Sequence, residues 1–283
     1  MKRELERIIQ GQETSDGAGV RIKRSLGQNQ QARVDPFLML DEFGSESAND
    51  YIAGFPSHPH RGFETVTYML EGHMLHEDHM GNKGHLKNGD VQWMTAGKGI
   101  IHSEMPQQEA GLMRGFQLWI NLPAAEKMKP AHYRDIPNSE IPQVNLPSGG
   151  SIKVIANEVT IGGQLIKGPI QGLTTEAIYW DISLPEGQRF EHSIPDYHHT
   201  VIYVYEGSVN IGDKARKLEK GNAGILSSGE SLSIQSLQSD TCFLVISGKP
   251  LKETVAQYGP FVMNTGDEIE QAIRDYRAGT LTD

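Results

Sequence analysis

Two segments of the chain, 65–72 and 200–207, share one pattern, and this repeat constrains the fold more than any other feature of the sequence. The first is Thr-Val-Thr-Tyr-Met-Leu-Glu-Gly and the second is Thr-Val-Ile-Tyr-Val-Tyr-Glu-Gly. Each is rich in β-branched and aromatic residues and ends in Gly, which is typical of a strand that enters a turn. A further glycine, Gly89 or Gly221, and another strand-like run follow each segment. We therefore predict two copies of one β-unit, related by duplication.

The rest of the chain also favours an all-β fold. Its 31 glycines and 14 prolines interrupt short apolar or alternating runs, which predict strands separated by turns at 63–70, 91–94, 116–122, 154–159, 200–205 and 243–246. Helical spacing of apolar residues is concentrated in residues 268–277, where one face carries Ile269, Ala272, Ile273 and Tyr276. We therefore predict a C-terminal amphipathic α-helix, which a glycine at position 279 ends.

The length of the chain favours two domains. At 283 residues it exceeds the size of a typical single domain. Five prolines interrupt residues 122–147, which lack a sustained period, and we interpret this stretch as the linker. We place the boundary after residue 137, which gives an N-terminal domain of residues 1–137 and a C-terminal domain of residues 138–283.

Composition and charge narrow the class of protein. The formal net charge of −10 argues against a surface that neutralises phosphates, so no direct nucleic-acid partner is expected. The chain has no apolar run of about 18 residues and no apolar core of a secretion signal near its start. The single cysteine, Cys242, fits a reducing compartment. We expect a cytoplasmic protein without a membrane partner, present in the nucleus as well if the organism is eukaryotic.

The pairs His58-Pro-His60 and His102-Ser-Glu104 form the most specific chemical pattern in the sequence. Side chains at positions i and i+2 of a strand lie on one face, so each pair projects two donor groups to the same side. Two such pairs on facing strands can surround one ion with three imidazoles and one carboxylate. This nitrogen and oxygen set suits iron, manganese, nickel, copper or zinc, and it leaves coordination positions open for a substrate.

Other polar residues near these pairs leave alternatives open. Glu64 could bind the ion, accept a hydrogen bond from a liganding imidazole or face solvent, and we favour the hydrogen bond. The adjacent His198 and His199 point to opposite faces of a strand, so we interpret them as structural and expect no metal in the second repeat. Four histidines surround a predicted turn at residues 81–84, and we interpret them as a polar hairpin tip: His73, His76, His79 and His85.

Two long blocks carry a resemblance to a known family. They are Phe55-Pro-Ser-His-Pro-His-Arg-Gly-Phe-Glu-Thr-Val-Thr-Tyr68 and Gln92-Trp-Met-Thr-Ala-Gly-Lys-Gly-Ile-Ile-His-Ser-Glu-Met105. With shorter blocks at 35–43, 76–78, 117–122 and 258–265, they resemble the pirin family of the cupin superfamily. The resemblance implies two cupin barrels, which are double-stranded β-helices of the jelly-roll type, facing each other and followed by a C-terminal helix. It also implies one divalent transition metal in the N-terminal barrel, held by His58, His60, His102 and Glu104.

The resemblance further implies a function. Fe(II) is the preferred ion, with Mn, Ni, Co, Cu or Zn as alternatives, and the family is similar in activity to quercetin 2,3-dioxygenases. We therefore expect a dioxygenase that cleaves flavonols such as quercetin with O2 and releases CO, with Glu104 as the proton acceptor. Candidates for the apolar lining of the pocket are Phe55, Trp93, Met94 and Phe116, although we favour the interpretation that each belongs to the apolar core. The alternative is an iron-dependent, redox-sensitive binding module that regulates a transcription factor or a metabolic enzyme.

Overall fold

The computed structural model describes all 283 residues and consists mostly of strands with one α-helix, as predicted. The strands of the N-terminal half are β1 (Leu5–Gln10), β2 (Gln12–Asp16), β3 (Val20–Leu26), β4 (Phe37–Ser45), β5 (Phe55–His60), β6 (Phe63–Glu71), β7 (Met74–Asp78), β8 (Lys83–Leu86), β9 (Val91–Thr95), β10 (Ile100–Pro106), β11 (Met113–Asn121) and β12 (His132–Ile136). Short 3-10 helices occupy Gln30–Ala32, Ala48–Asp50, Ala124–Glu126 and Asn138–Glu140.

The C-terminal half continues with shorter strands and ends in the helix. Its strands are β13 (Gln143–Asn145), β14 (Ser151–Ala156), β15 (Glu158–Ile161), β16 (Gln164–Lys167), β17 (Ile178–Leu184), β18 (Arg189–Ser193), β19 (His199–Glu206), β20 (Ser208–Ile211), β21 (Arg216–Glu219), β22 (Asn222–Leu226), β23 (Ser231–Ser236), β24 (Thr241–Gly248), β25 (Ala256–Tyr258) and β26 (Phe261–Met263). The helix α1 spans Gly266–Ala278, and it is not long and apolar enough to cross a membrane.

The chain forms two compact units, each assembled from three segments. The first unit contains Glu13–Arg24, Phe37–Asn138 and Leu251–Asp283. The second unit contains Met1–Gln12, Ser25–Pro36 and Ser139–Pro250. Each unit thus includes a terminal segment from the opposite half of the sequence. The domain boundary between residues 137 and 138 stays a prediction.

The first unit contains a seven-stranded and a four-stranded sheet. The larger sheet has the order β12-β9-β6-β11-β4-β3-β2, and the smaller has the order β5-β10-β7-β8. In the smaller sheet β5 and β7 both pair antiparallel with β10. The predicted metal residues on β5 and β10 therefore lie on neighbouring strands of one sheet.

The second unit repeats this organisation with an apolar interior. Its sheets have the orders β1-β22-β19-β24-β17-β14-β13 and β18-β23-β20-β21. Trp180, Ile202 and Phe243 belong to its buried apolar core. His198 is buried with its Nε2 3.2 Å from Glu176 Oε2, whereas the neighbouring His199 is exposed. His198 lies in the bend before β19, so the two histidines differ in burial but do not both belong to the strand.

The helix α1 confirms the predicted C-terminal element and shows why it starts and stops where it does. The Thr265 hydroxyl accepts a hydrogen bond from the backbone N–H of Glu268, and the Glu268 carboxylate accepts one from the backbone of Thr265, which is a capping box. At the other end Gly279 adopts a left-handed conformation, with a φ of 74°, that ends the helix.

Two predicted segments differ in detail from the structure. The apolar run 154–159 is split between β14 and β15, because Asn157 has a φ of 63° and asparagine tolerates this left-handed conformation. The proline-interrupted stretch 122–147 contains two strands: β12 pairs with β9, and β13 pairs with β14. These strands lie at the edges of their sheets, where a chain with frequent prolines is tolerated.

Candidate metal centre

The first predicted ligand pair and the first residue of the second pair meet across β5 and β10. His58 lies directly opposite His102, and His60 lies opposite Ile100. Directly opposed residues of an antiparallel pair project to the same face, so the three imidazoles share one side of the sheet. Between His102 and Glu104 the register shifts, because Glu104 lies opposite Phe55 and β5 contains one extra residue. The bulge therefore lies in β5.

The three imidazoles converge closely enough to hold one metal ion. One nitrogen from each of His58, His60 and His102 lies within 4.8 Å of the other two. The Nε2 atoms of His58 and His60 are 3.0 Å apart, which is the separation of two nitrogens bound at roughly 2.0–2.1 Å to one ion at nearly a right angle. His102 Nε2 is buried and has no hydrogen-bond partner within the protein. The residues therefore fit a borderline transition metal.

The remaining ring nitrogens show how each imidazole is held. His58 Nδ1 donates to the carbonyl oxygen of Pro56 at 2.8 Å, which leaves the Nε2 lone pair for the ion. His102 Nδ1 lies 2.8 Å from Nε2 of His76, a histidine with no exposed surface. If His102 binds metal through Nε2, its Nδ1 carries the proton and His76 accepts it. The interpretation of His76 as part of a hairpin tip is therefore wrong.

Burial keeps the candidate ligands His60 and His102 neutral. His60 and His102 are each 2% exposed, and burial, followed by the neighbouring histidines, holds the pKa of both well below the usual value. Neutral imidazole is the form that binds metal, because the protonated ring has no free lone pair. His58 is only half-buried. The site is thus closed to water at His60 and His102 and open towards His58.

Glu104 is buried near the triad but is held by other partners. Its Oε1 is 2.9 Å from Thr67 Oγ1, and its Oε2 accepts a hydrogen bond from Gln117 Nε2 at 3.4 Å. Thr67 Oγ1 is also 2.6 Å from Gln117 Oε1, and its single hydrogen can be donated to one of these acceptors at a time. The group whose donor atoms all lie within 4.8 Å of one another contains the three histidines. Glu104 as a fourth ligand stays a prediction.

Glu64 plays a different part from the one expected. Its Oε1 accepts a hydrogen bond from Thr95 at 2.7 Å and its Oε2 accepts one from the Trp93 indole at 3.2 Å. Neither partner is an imidazole, so the expectation that Glu64 orients a liganding histidine is wrong. The carboxylate instead ties β6 to the adjacent strand β9.

Two apolar aromatic side chains pack beside the triad. The ring centroids of Phe63 and Trp119 lie 5.1 Å and 5.3 Å from that of His60. Trp119 and Gln117 alternate along β11 with the fully buried Phe116, which therefore points to the other face. Trp93 lies opposite Val66, whose side chain also points to that face. Phe116 and Trp93 therefore do not line the site, which agrees with the favoured interpretation that they belong to the core.

The C-terminal segment fixes the turn that follows His60. Arg61 is 4% exposed, and its Nη1 donates to Asp275 Oδ2 of α1 at 2.7 Å. Gly62 has a φ of 91° and lies so close to the Val262 carbonyl that a Cβ atom would overlap it. Lys127 Nζ donates to the carbonyl oxygens of both Gly62, at 2.7 Å, and Val262, at 3.0 Å. The ligand strand β5 is thus tied to residues distant in sequence.

Protein-family models match both halves of the chain. A family model described as Pirin matches residues 19–120, and a model described as the Pirin C-terminal cupin domain matches residues 179–282. The chain belongs to the pirin family. The first match includes all four predicted ligands, and the second includes the repeated segment 200–207 and α1.

Relatives in the pirin family match along nearly the whole chain. A Pseudomonas aeruginosa protein named "Putative quercetin 2,3-dioxygenase" is 51% identical over 280 residues, which are 99% of this chain and 98% of that protein. Human pirin is 41% identical over 273 residues, which are 95% of this chain and 90% of that protein. The crystal structure of quercetin 2,3-dioxygenase from Acinetobacter baumannii matches with a TM-score of 0.90 and 36% identity over 99% of both chains. The fold is therefore the pirin bicupin, as the sequence resemblance implied.

Sequence reasoning missed three polar residues around the site: Thr67, His76 and Gln117. The sequence offers no clear signal for His76, because the apolar residues Met74 and Leu75 are adjacent. The alternation that buries His76 together with Met74 and Asp78 along β7 is visible only in the structure. Thr67 and Gln117 lie opposite each other on β6 and β11, a pairing that only the strand register reveals.

Proposed function

We propose that this pirin-family chain is a metal-dependent dioxygenase that cleaves flavonols such as quercetin with O2 and releases CO. The observation that carries the proposal is the convergence of donor nitrogens from His58, His60 and His102 within 4.8 Å. The names of the Pseudomonas aeruginosa and Acinetobacter baumannii relatives support the choice of reaction. Fe(II) is the preferred ion, because an imidazole and carboxylate set that leaves positions open suits ferrous oxygenases.

The polar residues of the candidate metal centre then have distinct proposed roles. A bound divalent ion would supply the Lewis acid that binds the flavonol oxygen and brings it together with O2. His58, His60 and His102 hold the ion, and Glu104 is proposed as the fourth ligand and as the acceptor of the proton from the flavonol 3-hydroxyl. Thr67 and Gln117 keep the Glu104 carboxylate in one orientation through the contacts described above.

The burial pattern favours one side for the substrate. Phe63 and Trp119 pack beside His60, which is 2% exposed, and exclude water from that side. His58 is half-buried, and Pro56 and Ser57 next to it are exposed. We therefore propose that the flavonol approaches from the side of His58.

The test is turnover by protein loaded anaerobically with Fe(II). On exposure to O2, wild-type protein should cleave the flavonol, measured as loss of its absorbance. It should release CO in an amount equal to the flavonol cleaved. Glu104→Gln should lower kcat by roughly 10²–10⁴, which is the usual contribution of a general base. His60→Gln should lose metal, whereas the matched control His192→Gln, in the second unit, should retain both metal and turnover. Fully metallated wild-type protein that releases no CO would refute the proposal.

One observation favours the alternative of a redox-sensitive binding module. His58 donates a hydrogen bond to Pro56, which is exposed, so the ligand strand is directly continuous with the surface. A change in the oxidation state of the ion would then reach the surface through two residues. If Fe(II) and Fe(III) protein bind a transcription factor or metabolic enzyme with different affinity while turnover is absent, this alternative replaces the dioxygenase.

A further inference from the structure

A second pair of histidines meets outside the buried triad. His73 precedes β7 and His85 lies in β8, and these two strands pair as an antiparallel hairpin in which Leu75 is opposite His85. His73 Nε2 and His85 Nδ1 are 2.8 Å apart, with ring centroids separated by 4.9 Å and planes tilted by 45°. We propose that this pair is a second metal site, which binds a borderline divalent ion of the Cu²⁺ class from solution.

The geometry of the pair suits two ligands on one ion. Two nitrogens at roughly 2.0–2.1 Å from a metal, with about a right angle between the bonds, lie close to 2.9 Å apart. The observed separation of 2.8 Å needs little rearrangement to reach this value. Each neutral imidazole has one lone pair, so a change of tautomer frees both facing nitrogens without loss of a proton.

The backbone around His73 is held in place before any ion binds. The backbone N–H of His73 donates to Gln108 Oε1 at 2.9 Å, and that of Gly72 donates to Asn88 Oδ1 at 2.8 Å. Gln108 Nε2 in turn donates to the carbonyl oxygen of Leu112 at 3.1 Å. One side of the pair is therefore positioned by side chains that do not themselves bind metal.

The surroundings leave room for the other ligands of the ion. A surface cavity of about 590 Å³ is lined by His73 together with Glu71, Lys87 and Asn88. Burial, followed by the proximity of His85 and Lys87, lowers the pKa of His73, which keeps the ring in its binding form near neutral pH. Water from the cavity can complete the coordination.

The nature of the donors selects the ion. Two imidazoles with oxygen ligands bind Cu²⁺ most strongly among the divalent first-row metals, followed by Ni²⁺ and Zn²⁺. His85 is exposed and His73 is half-buried, whereas His60 and His102 of the triad are buried. We expect the pair to exchange its ion with solution faster than the triad does. This site is independent of the proposed dioxygenase activity.

The experiment compares how many Cu²⁺ ions full-length, untagged proteins bind after the triad has been loaded. Equilibrium dialysis with metal analysis gives the number of ions, and electron paramagnetic resonance reports nitrogen ligands. The variants are His73→Gln and His85→Gln, and the matched control is His132→Gln, which removes another exposed histidine. Wild type and control should bind one Cu²⁺ more than either variant, with a spectrum that shows two nitrogens.

Three results would overturn the proposal. Equal amounts of bound Cu²⁺ in wild type and both variants would mean that the pair does not bind. An equal loss in His132→Gln would mean adventitious binding by surface histidines in general. Retention of the extra ion in only one of the two variants would show that the two imidazoles do not act together. Flavonol cleavage is measured separately and should be the same in all four proteins.

Discussion

The hydrogen bond between His76 and His102 offers the sharpest test of the candidate metal centre. His76→Phe keeps a ring of similar size against Tyr133, whose centroid is 4.9 Å from that of His76. It removes the Nε2 atom that lies 2.8 Å from His102 Nδ1. A metal on His102 Nε2 requires a proton on Nδ1, so the metal-bound form contains a buried donor without an acceptor in this variant. In the metal-free protein the proton can move to Nε2, which faces the nitrogens of His58 and His60 and can donate to one of them after a small rearrangement.

The expected size of the effect follows from that difference between the two forms. Loss of a hydrogen-bond partner of a liganding histidine weakens metal affinity by roughly 10–100-fold, or about 1.4–2.7 kcal/mol. This agrees with the cost of about 1–3 kcal/mol for a buried donor left unpaired. His76→Gln should recover part of the affinity, because its side-chain carbonyl oxygen can accept from His102 Nδ1.

The assay is competition for Zn²⁺ between the protein and a chromogenic chelator. It is performed in a His85→Gln background, so that the hairpin pair does not contribute. The control His192→Phe makes the same substitution in the second unit, where the ring packs against Trp180 at 5.2 Å. Wild-type affinity in a folded His76→Phe protein would refute the reasoning, and so would an equal loss in the control.

Two further predictions concern α1. Asp275→Asn removes the partner of the buried Arg61 and should lower the free energy of unfolding at neutral pH by about 1–3 kcal/mol. The hydrogen bond from Arg61 lowers the pKa of Asp275 below its ordinary 3.8, so this stabilisation is present above that pH and is lost as the pH falls through the folded-state pKa. Urea unfolding at neutral and strongly acidic pH measures the difference; a loss that does not shrink in acid, or one matched by the exposed Glu270→Gln, would contradict the prediction. Thr265→Ala removes the helix cap and should cost about 1 kcal/mol in the same measurement, whereas Thr265→Ser should not, and equal losses would contradict the role of the hydroxyl.

Local sequence patterns predicted the strands and the helix, whereas the pairing of distant segments depends on long-range contacts. Strand alternation predicted that His58 and His60 share a face, and their Nε2 atoms are 3.0 Å apart. The position of His76 depended on its pairing with β10, where it lies opposite Glu104. The segment Leu251–Asp283 joins the first unit although it follows the second repeat, which no local pattern indicates. Local propensity specifies strands and caps, but it does not specify which distant segments pair.

Equivalent positions of the two repeats differ in polarity, and this difference distinguishes the interiors of the two units. Thr67 and Gln92 lie opposite each other on β6 and β9 in the first unit. Thr67 contacts Glu104, and Gln92 Nε2 donates to Asp135 at 2.8 Å. Hydroxyl and amide groups at these two positions can satisfy carboxylates that would be costly to bury alone. The first unit therefore tolerates acidic residues near its candidate metal centre.

The equivalent positions of the second repeat are Ile202 and Gly224, which lie opposite each other on β19 and β22. Ile202 has no exposed surface and belongs to the apolar core. A Cβ atom on Gly224 would come within 2.7 Å of Leu5 and 2.8 Å of Leu218, so the glycine leaves room for two core leucines. Exchange of Thr and Gln for Ile and Gly thus replaces hydrogen-bonding groups with packed apolar side chains. Once the strand register is known, this one pair of opposed residues distinguishes the polar interior of the first unit from the apolar interior of the second.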